Sequence, residues 1–182
     1  MNFPLSFASV PSENEKVTSH VKIQQWIDLY GDDVLKIAYM YLRDKSKAED
    51  AFQEVFLRAF RQMDTFRGDS SVKTWLLRIT MNVCKDLRRS FWFRRVWTGK
   101  LPERTADDGL PEQQVIEREQ NRGLWEQVLD LPSPLKDVII LYYYQELDVK
   151  EIARVLEVPE GTVRSRLHRA RERLKKNLEG RG

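Results

Sequence analysis

From Val21 to Leu178 the apolar residues recur at three- and four-residue spacing, and no stretch alternates apolar and polar residues as a half-buried strand must. That pattern dictates an all-α fold. Hydrophobic residues make up 41% of the 182 and charged residues 32%, which is enough apolar material for one ordinary domain or two small ones under a polar exterior.

The breaks sort the helices into two groups. Residues 21–30 and 32–42 read as separate helices interrupted at Gly31. Ser46 and Glu49 form a capping box, in which the serine hydroxyl takes an orphan amide and the glutamate reaches back. The helix they start carries Ala48, Ala51, Phe52, Val55, Phe56, Ala59, Phe60 and Met63 on one wide apolar face. Gly68 and its polar neighbours stop it. A helix over 72–89 follows, with a core stripe of Val72, Trp75, Leu76, Ile79, Val83 and Leu87. Pro102, Gly109 and Pro111 among acidic residues mark a linker, and 112–131 is helical again. Ser133 then reads as an N-cap, and Pro134 as the first turn of a helix over 135–145. The expected organisation is a disordered tail at 1–20, a helical domain at 21–97, a flexible linker at 98–113 and a second helical domain at 114–182.

Residues 148–176 read as a short helix, a tight turn and a long helix crowded with arginine. Asp148 caps the helix over 149–156, with Glu151 in the reciprocal position. Pro159 cannot extend that helix, and Gly161 permits close packing at the start of the next. Val163, Leu167, Ala170, Leu174 and Leu178 make one narrow seam, against which Ile152, Ala153 and Leu156 pack. This pattern suits a helix-turn-helix reading a major groove; a solvated basic helix closing a bundle is the plainer alternative. Arg164, Ser165, His168 and Arg169 lie on the free side near the helix start, where base edges are reached. Arg171, Arg173, Lys175 and Lys176 lie further along and suit phosphates or solvent.

The first domain offers two more surfaces. Asp50, Gln53, Glu54, Leu57 and Arg61 share the face opposite the core, a mixed and partly acidic surface that suits a protein partner or plain solvation. Arg78, Asn82, Lys85 and Arg89 follow one another at four, three and four residues, a basic stripe with one amide able to read a base edge. The preceding loop, 66–71, is polar with an aromatic and can cup an unstacked base; surface charge beside a turn is the plainer reading.

The formal charge of +3 is mild, but its placement is not: bases gather in 85–100 and 164–176, acids in 107–119. Separated blocks of one sign point to a polyanion touched in more than one place. One cysteine, Cys84, permits no intrachain disulfide and fits a reducing cytoplasm. With two histidines, His20 and His168, and no His/Cys cluster, no metal or other cofactor is expected. No apolar run reaches membrane-spanning length, so no membrane insertion is expected, and the first residues lack the early bases of a signal peptide.

Three motifs in order, Ala48-Glu-Asp-Ala-Phe-Gln-Glu-Val-Phe-Leu-Arg-Ala-Phe60, Phe66-Arg-Gly-Asp-Ser-Ser-Val-Lys-Thr-Trp-Leu-Leu-Arg-Ile79 and Pro159-Glu-Gly-Thr-Val-Arg-Ser-Arg-Leu-His-Arg-Ala-Arg171, resemble the extracytoplasmic-function (ECF) sigma factors of bacterial RNA polymerase. The resemblance spans nearly the whole chain. It implies a non-enzymatic subunit that binds core polymerase and directs initiation at promoters. Asp50, Gln53, Glu54 and Leu57 would meet the β′ clamp helices, and the second domain the β flap. Phe66, Ser70, Lys73, Trp75, Arg78, Asn82, Lys85 and Arg89 would melt and read the −10 element. Thr162, Arg164, Ser165, His168, Arg169 and Arg171 would read the −35 element. An anti-sigma factor is an expected further partner. Two features depart from the family: Thr80-Met-Asn82 stands where many members carry Ala-Arg-Asn, and 91–97 is unusually aromatic. That segment suits a core extension or a docking surface for an anti-sigma factor. From so compact a length no added C-terminal regulatory domain is expected.

A helix-turn-helix regulator of the response-regulator type would share the Glu-Ile-Ala…Thr-Val pattern, but needs an α/β domain in front, and the first half carries no strand pattern. A nucleic-acid enzyme would need a carboxylate cluster, metal-ligand spacing or a Gly-rich phosphate loop, and none is present.

Overall fold

The computed structural model describes the backbone of residues 13–98 and 124–179 and the side chains of 19–90 and 124–179. Residues 1–12 of the expected tail, 99–113 of the expected linker, the start of the helix expected at 112 and the aromatic side chains of 91–97 lie outside those residues; the rest of the expected disordered tail, 13–20, is helical, and Thr98 ends a helix instead of opening the linker.

Helix α1 (Glu13–Leu42) is continuous, with no break at Gly31. Gly31 is buried in mid-helix, and a Cβ there would stand 3.3 Å from the Phe52 ring. The glycine is a packing residue that lets α2 approach, so its backbone freedom goes unused. The chain leaves α1 through Arg43, whose φ of 52° is left-handed and whose amide closes onto Tyr39 O at 2.8 Å. Helix α2 (Lys45–Gln62) is then capped by Asp44, whose carboxylate accepts from the Lys47 amide. The expected Ser46–Glu49 box is therefore displaced: the stronger acceptor two residues earlier takes the cap. A 3₁₀ turn (Met63–Thr65) and the 66–71 loop lead to α3 (Val72–Thr98), which runs on past Arg89 as one helix.

The second domain holds α4 (residues 124–130), α5 (Ser133–Ile139) running into a π-helical turn (Ile140–Tyr144), α6 (Val149–Leu156) and α7 (Glu160–Glu179). Pro132, not Ser133, stands at the N-cap of α5, and no side chain caps it. The Ser133 hydroxyl instead accepts from Arg88 Nη1 at 3.2 Å, a contact to the other domain. The Asp148–Glu151 capping box forms as expected, with both reciprocal bonds present (2.7 and 3.1 Å). Glu157, φ 54°, supplies the left-handed residue of the helix-turn-helix. Gly161 lies inside α7 with nothing within 4 Å of a Cβ, so the close packing expected there does not occur.

Among the described residues the buried apolar side chains form one cluster. On the first domain's side it joins Val34, Ile37 and Ala38 of α1 to Ala51, Val55 and Ala59 of α2 and Leu76, Ile79 and Val83 of α3, and on the second's it joins Val138, Ile139 and Leu141 to Ile152, Val155, Val163, Leu167 and Ala170. Leu174 is half-buried and Leu178 exposed, so the α7 seam ends earlier than its periodicity does.

Helix α3 is buried on a second side as well. Leu77, Met81 and Cys84, none of them in the expected stripe, are sealed from solvent. They share a helical face with Thr74, Arg78, Lys85 and Arg88, whose side chains reach Glu151, Glu157, Asp137 and Ser133 of the second domain. The two domains are packed together across this helix.

Candidate nucleic-acid and polymerase interfaces

Helix α7 presents a basic outer face. Val163, Leu167 and Ala170 hold it against α5 and α6, which leaves Arg164, Ser165, His168 and Arg169 exposed together near its start. Thr162 is half-buried beside them. Glu160 pairs with Arg164 at 2.8 Å, one turn apart, and the Ser165 hydroxyl donates to Thr162 O at 3.0 Å. These contacts order the side chains without burying them, so both can be exchanged for a phosphate or a base edge. Arg171 is different. Its Nε donates to Tyr143 Oη at 3.0 Å, and its guanidinium stands 5.4 and 5.7 Å from the Tyr142 and Tyr143 ring centres. The arginine ties α7 to the π turn, and its planar face is already stacked.

The 66–71 loop rests on an aromatic triad. Phe66, Trp26 and Trp75 meet with ring centres 5.2–6.2 Å apart. Trp75 is 8% exposed and lies beneath the loop as its support. Gly68, φ 76°, turns the loop, and Ser71 caps α3 by accepting from the Thr74 amide at 3.1 Å. Ser70 is half-buried at the loop's end, and Lys73 is paired with Asp33 at 3.1 Å.

The basic stripe of α3 is intact but not free. Asn82 and Arg89 are exposed. Arg78 pairs with Glu157 at 3.4 Å and Lys85 with Asp137 at 3.5 Å, both across the domain seam. Asp137 is the centre of that seam. It is 4% exposed and accepts the Tyr41 hydroxyl at 2.5 Å. Burial first, then the Asp137 charge and this hydrogen bond, hold the Tyr41 phenol well above its ordinary pKa. Sequence reasoning missed Asp137, Glu157 and Tyr41. The available signal was an acid inside the apolar run Leu135–Leu141, a residue that must find a partner when buried.

On α2, Asp50, Gln53 and Leu57 are exposed and Glu54 is half-buried. Leu57 is 50% exposed, an apolar side chain set among polar ones. Glu54 pairs with Arg58 at 2.6 Å, and Arg58 with Asp86 of α3 at 3.1 Å. The carboxylates draw the Arg58 pKa upward, Glu54 most, against burial. A charged network thus holds Glu54 in place beside Leu57. Among the described residues no helix is long and apolar enough to cross a membrane, and no group of three or more His, Cys, Asp or Glu could hold a metal ion.

A helix-turn-helix with an exposed basic face, joined to a helical domain with its own basic stripe, is the architecture of a two-domain DNA-binding protein. Comparison with known proteins agrees. Residues 26–94 match sigma-70 region 2, and residues 122–174 match sigma-70 region 4. The ECF sigma factor SigW of Bacillus subtilis (strain 168) is 34% identical over 161 residues, 84% of this chain and 86% of that protein. The sigma-H factor of Pseudomonas aeruginosa is 31% identical over 82% of each chain. Among solved structures, the sigma factor RpoE in complex with the anti-sigma factor NepR from Bartonella quintana shares the fold, with a TM-score of 0.67 at 22% identity over 87% of this chain and 97% of that one. The chain belongs to the ECF sigma factors. It binds core RNA polymerase and promoter DNA, and directs promoter-specific transcription initiation.

Proposed function

We propose that the two exposed basic faces divide promoter recognition between them. The α7 face of Arg164, Ser165, His168 and Arg169 reads the −35 element in the major groove, with Thr162 at phosphate. The α3 stripe takes the −10 element, with Asn82 as base reader and Arg78, Lys85 and Arg89 at phosphates. Phe66 and Ser70 line the loop that receives flipped bases, with Lys73 of the first α3 turn beside it, on the support of Trp75. Arg171 serves mainly to hold α7 on the π turn. Asp50, Gln53, Glu54 and Leu57 dock on the β′ clamp helices, and the second domain on the β flap. The polymerase does the chemistry, in the cytoplasm, and this chain contributes specificity.

The observation that carries the reading is the pairing of Arg78 and Lys85 with Glu157 and Asp137. Carboxylates of the second domain occupy positions where DNA phosphates would sit. Promoter binding then requires these ion pairs to be exchanged for phosphate contacts, and the domains to part. An anti-sigma factor that favours the packed arrangement would hold the protein silent; the similar RpoE was solved with one.

Transcription reconstituted from sigma-free core polymerase and a promoter library tests this reading. Promoter-specific initiation is expected; tight, specific binding of DNA alone without initiation would favour a free-standing regulator. In the same assay Asn82→Ala is expected to shift preference at one −10 position. Arg169→Ala is expected to cost about 1–3 kcal/mol of −35 discrimination, the worth of one bidentate base contact. Uniform loss over all promoter sequences would mark both as phosphate contacts. Glu54→Arg is expected to weaken core binding about tenfold or more by reversing a charge at the interface. Circular dichroism is expected to be unchanged, since the added repulsion with Arg58 costs only about 0.5 kcal/mol. Unaltered affinity for core would remove this face from the interface.

A further inference from the structure

Where the domains meet, a polar cleft of about 490 Å³ opens between the end of α1, α3 and the α4–α5 corner. Three cations line it: Arg43 and Arg88 from the first domain and Lys136 from the second. Lys136 is 8% exposed. Among the described residues its ammonium makes one hydrogen bond, to Leu129 O at 3.0 Å, and no ion pair. An ammonium carries three donors, and burying one without a counter-charge is costly. Burial first, then the charges of Arg88 and Arg43, hold the Lys136 pKa below its ordinary value. The nearby acids offer little relief. Asp137 is engaged by Tyr41 and Lys85, and Asp130 is largely exposed, 3.8 Å from Arg43.

Arg43 adds a second observation. It occupies a left-handed backbone position, where glycine or asparagine would close the turn with less strain. An arginine there sets a guanidinium at the cleft. Arg88 spends one of its donors on Ser133 Oγ, and the guanidinium has five.

We infer that this cleft is a binding site for a phosphate-bearing anion, held by Lys136, Arg43 and Arg88 while the domains are packed together. Two guanidinium forks and an ammonium match the spread oxygens of a phosphate or diphosphate better than a single carboxylate. The cations come from both domains, so the anion bridges them and favours the packed arrangement by mass action. The inference rests on that packing and not on the promoter contacts.

Isothermal titration of the full chain with inorganic pyrophosphate, and separately with ADP, at constant ionic strength tests it. Saturable binding at one site is expected, with a raised Tm. Lys136→Met is expected to weaken it about tenfold or more, the loss of a charged hydrogen bond. This variant replaces an uncompensated buried ammonium with an apolar chain, so it folds. Arg88→Gln, a change at an exposed position, is expected to act in the same direction. Lys22→Gln, about 30 Å along α1 from Arg43, is expected to change nothing. Tighter binding of ADP would assign the source to a nucleotide, and equal binding to the diphosphate alone; either upholds the site. No saturable binding of either anion at millimolar concentration overturns it, as does wild-type affinity in both Lys136→Met and Arg88→Gln.

Discussion

Trp75→Ala is expected to lower the stability of the first domain by about 3–5 kcal/mol, the usual cost of emptying a large aromatic site in a core. The indole packs on Trp26 and Phe66 and lies almost wholly out of solvent, so its removal leaves a void that the rigid helix ends cannot fill. Loss of the ring also removes the floor of the 66–71 loop. Promoter melting, read by permanganate reactivity of unpaired thymines, is therefore expected to fall together with stability in urea. Trp75→Phe keeps most of the packing and is expected to retain most of both. If Trp75→Ala abolished melting and left the urea midpoint unchanged, the ring would be touching DNA directly, and its burial would not describe the working state.

The second large effect belongs to the seam. Asp137→Ala is expected to free the second domain from the first. The substitution strands a buried Tyr41 hydroxyl whose acceptor was a carboxylate, a loss of about 2–3 kcal/mol. Lys85 is 43% exposed and adds little, because water screens its charge once the partner is gone. The packed-to-separated ratio is then expected to fall roughly 30- to 140-fold. Energy transfer between dyes on cysteines introduced at Gln25 and Lys175 reads this out. Cys84 is buried in the packed form, with its thiol pushed up to about 12, but separation would uncover it, so the labelling is done in a Cys84→Ala background. Unchanged transfer would mean that apolar contact alone holds the domains. The wild type carries the same prediction in its pH dependence. Tyr41 has a raised pKa when packed, so its contribution is whole below the ordinary tyrosine value near 10.0 and is lost as pH rises through the packed-state value. Alkaline separation is expected, and Tyr41→Phe is expected to lack that transition.

Most of the fold was legible because helical periodicity reports a buried face wherever there is only one. The α2 face, the first α3 stripe, the α6 capping box and the start of the α7 seam all follow from spacing. Errors arose where a residue had two possible uses. Gly31 looked like a stop, but in mid-helix it clears space for Phe52. Ser133 looked like a cap, but its hydroxyl serves Arg88. Gly161 looked like a close-packing residue, but a Cβ there would meet nothing within 4 Å, and it is Glu157 that adopts the left-handed backbone of the turn. The polar contacts of the site were less legible. Arg171 sits in the same basic run as Arg169, and spacing cannot tell a stacked arginine from a free one. Nor can local pattern reveal that Leu77, Met81 and Cys84 need cover. Their partner lies beyond the linker, and no periodicity within α3 encodes it.

If the α3 row meets the promoter as proposed, one row of side chains has two masters. Adding a cation to the Arg78–Lys85 row would strengthen its hold on a promoter, but the same cation would meet the acids of the second domain and strengthen the resting form. A more avid promoter reader built this way would also be a scarcer one. On that reading, selection for stronger transcription has an easier route through Asp137 and Glu157, which hold the packed form without touching DNA, than through the cations that meet phosphate.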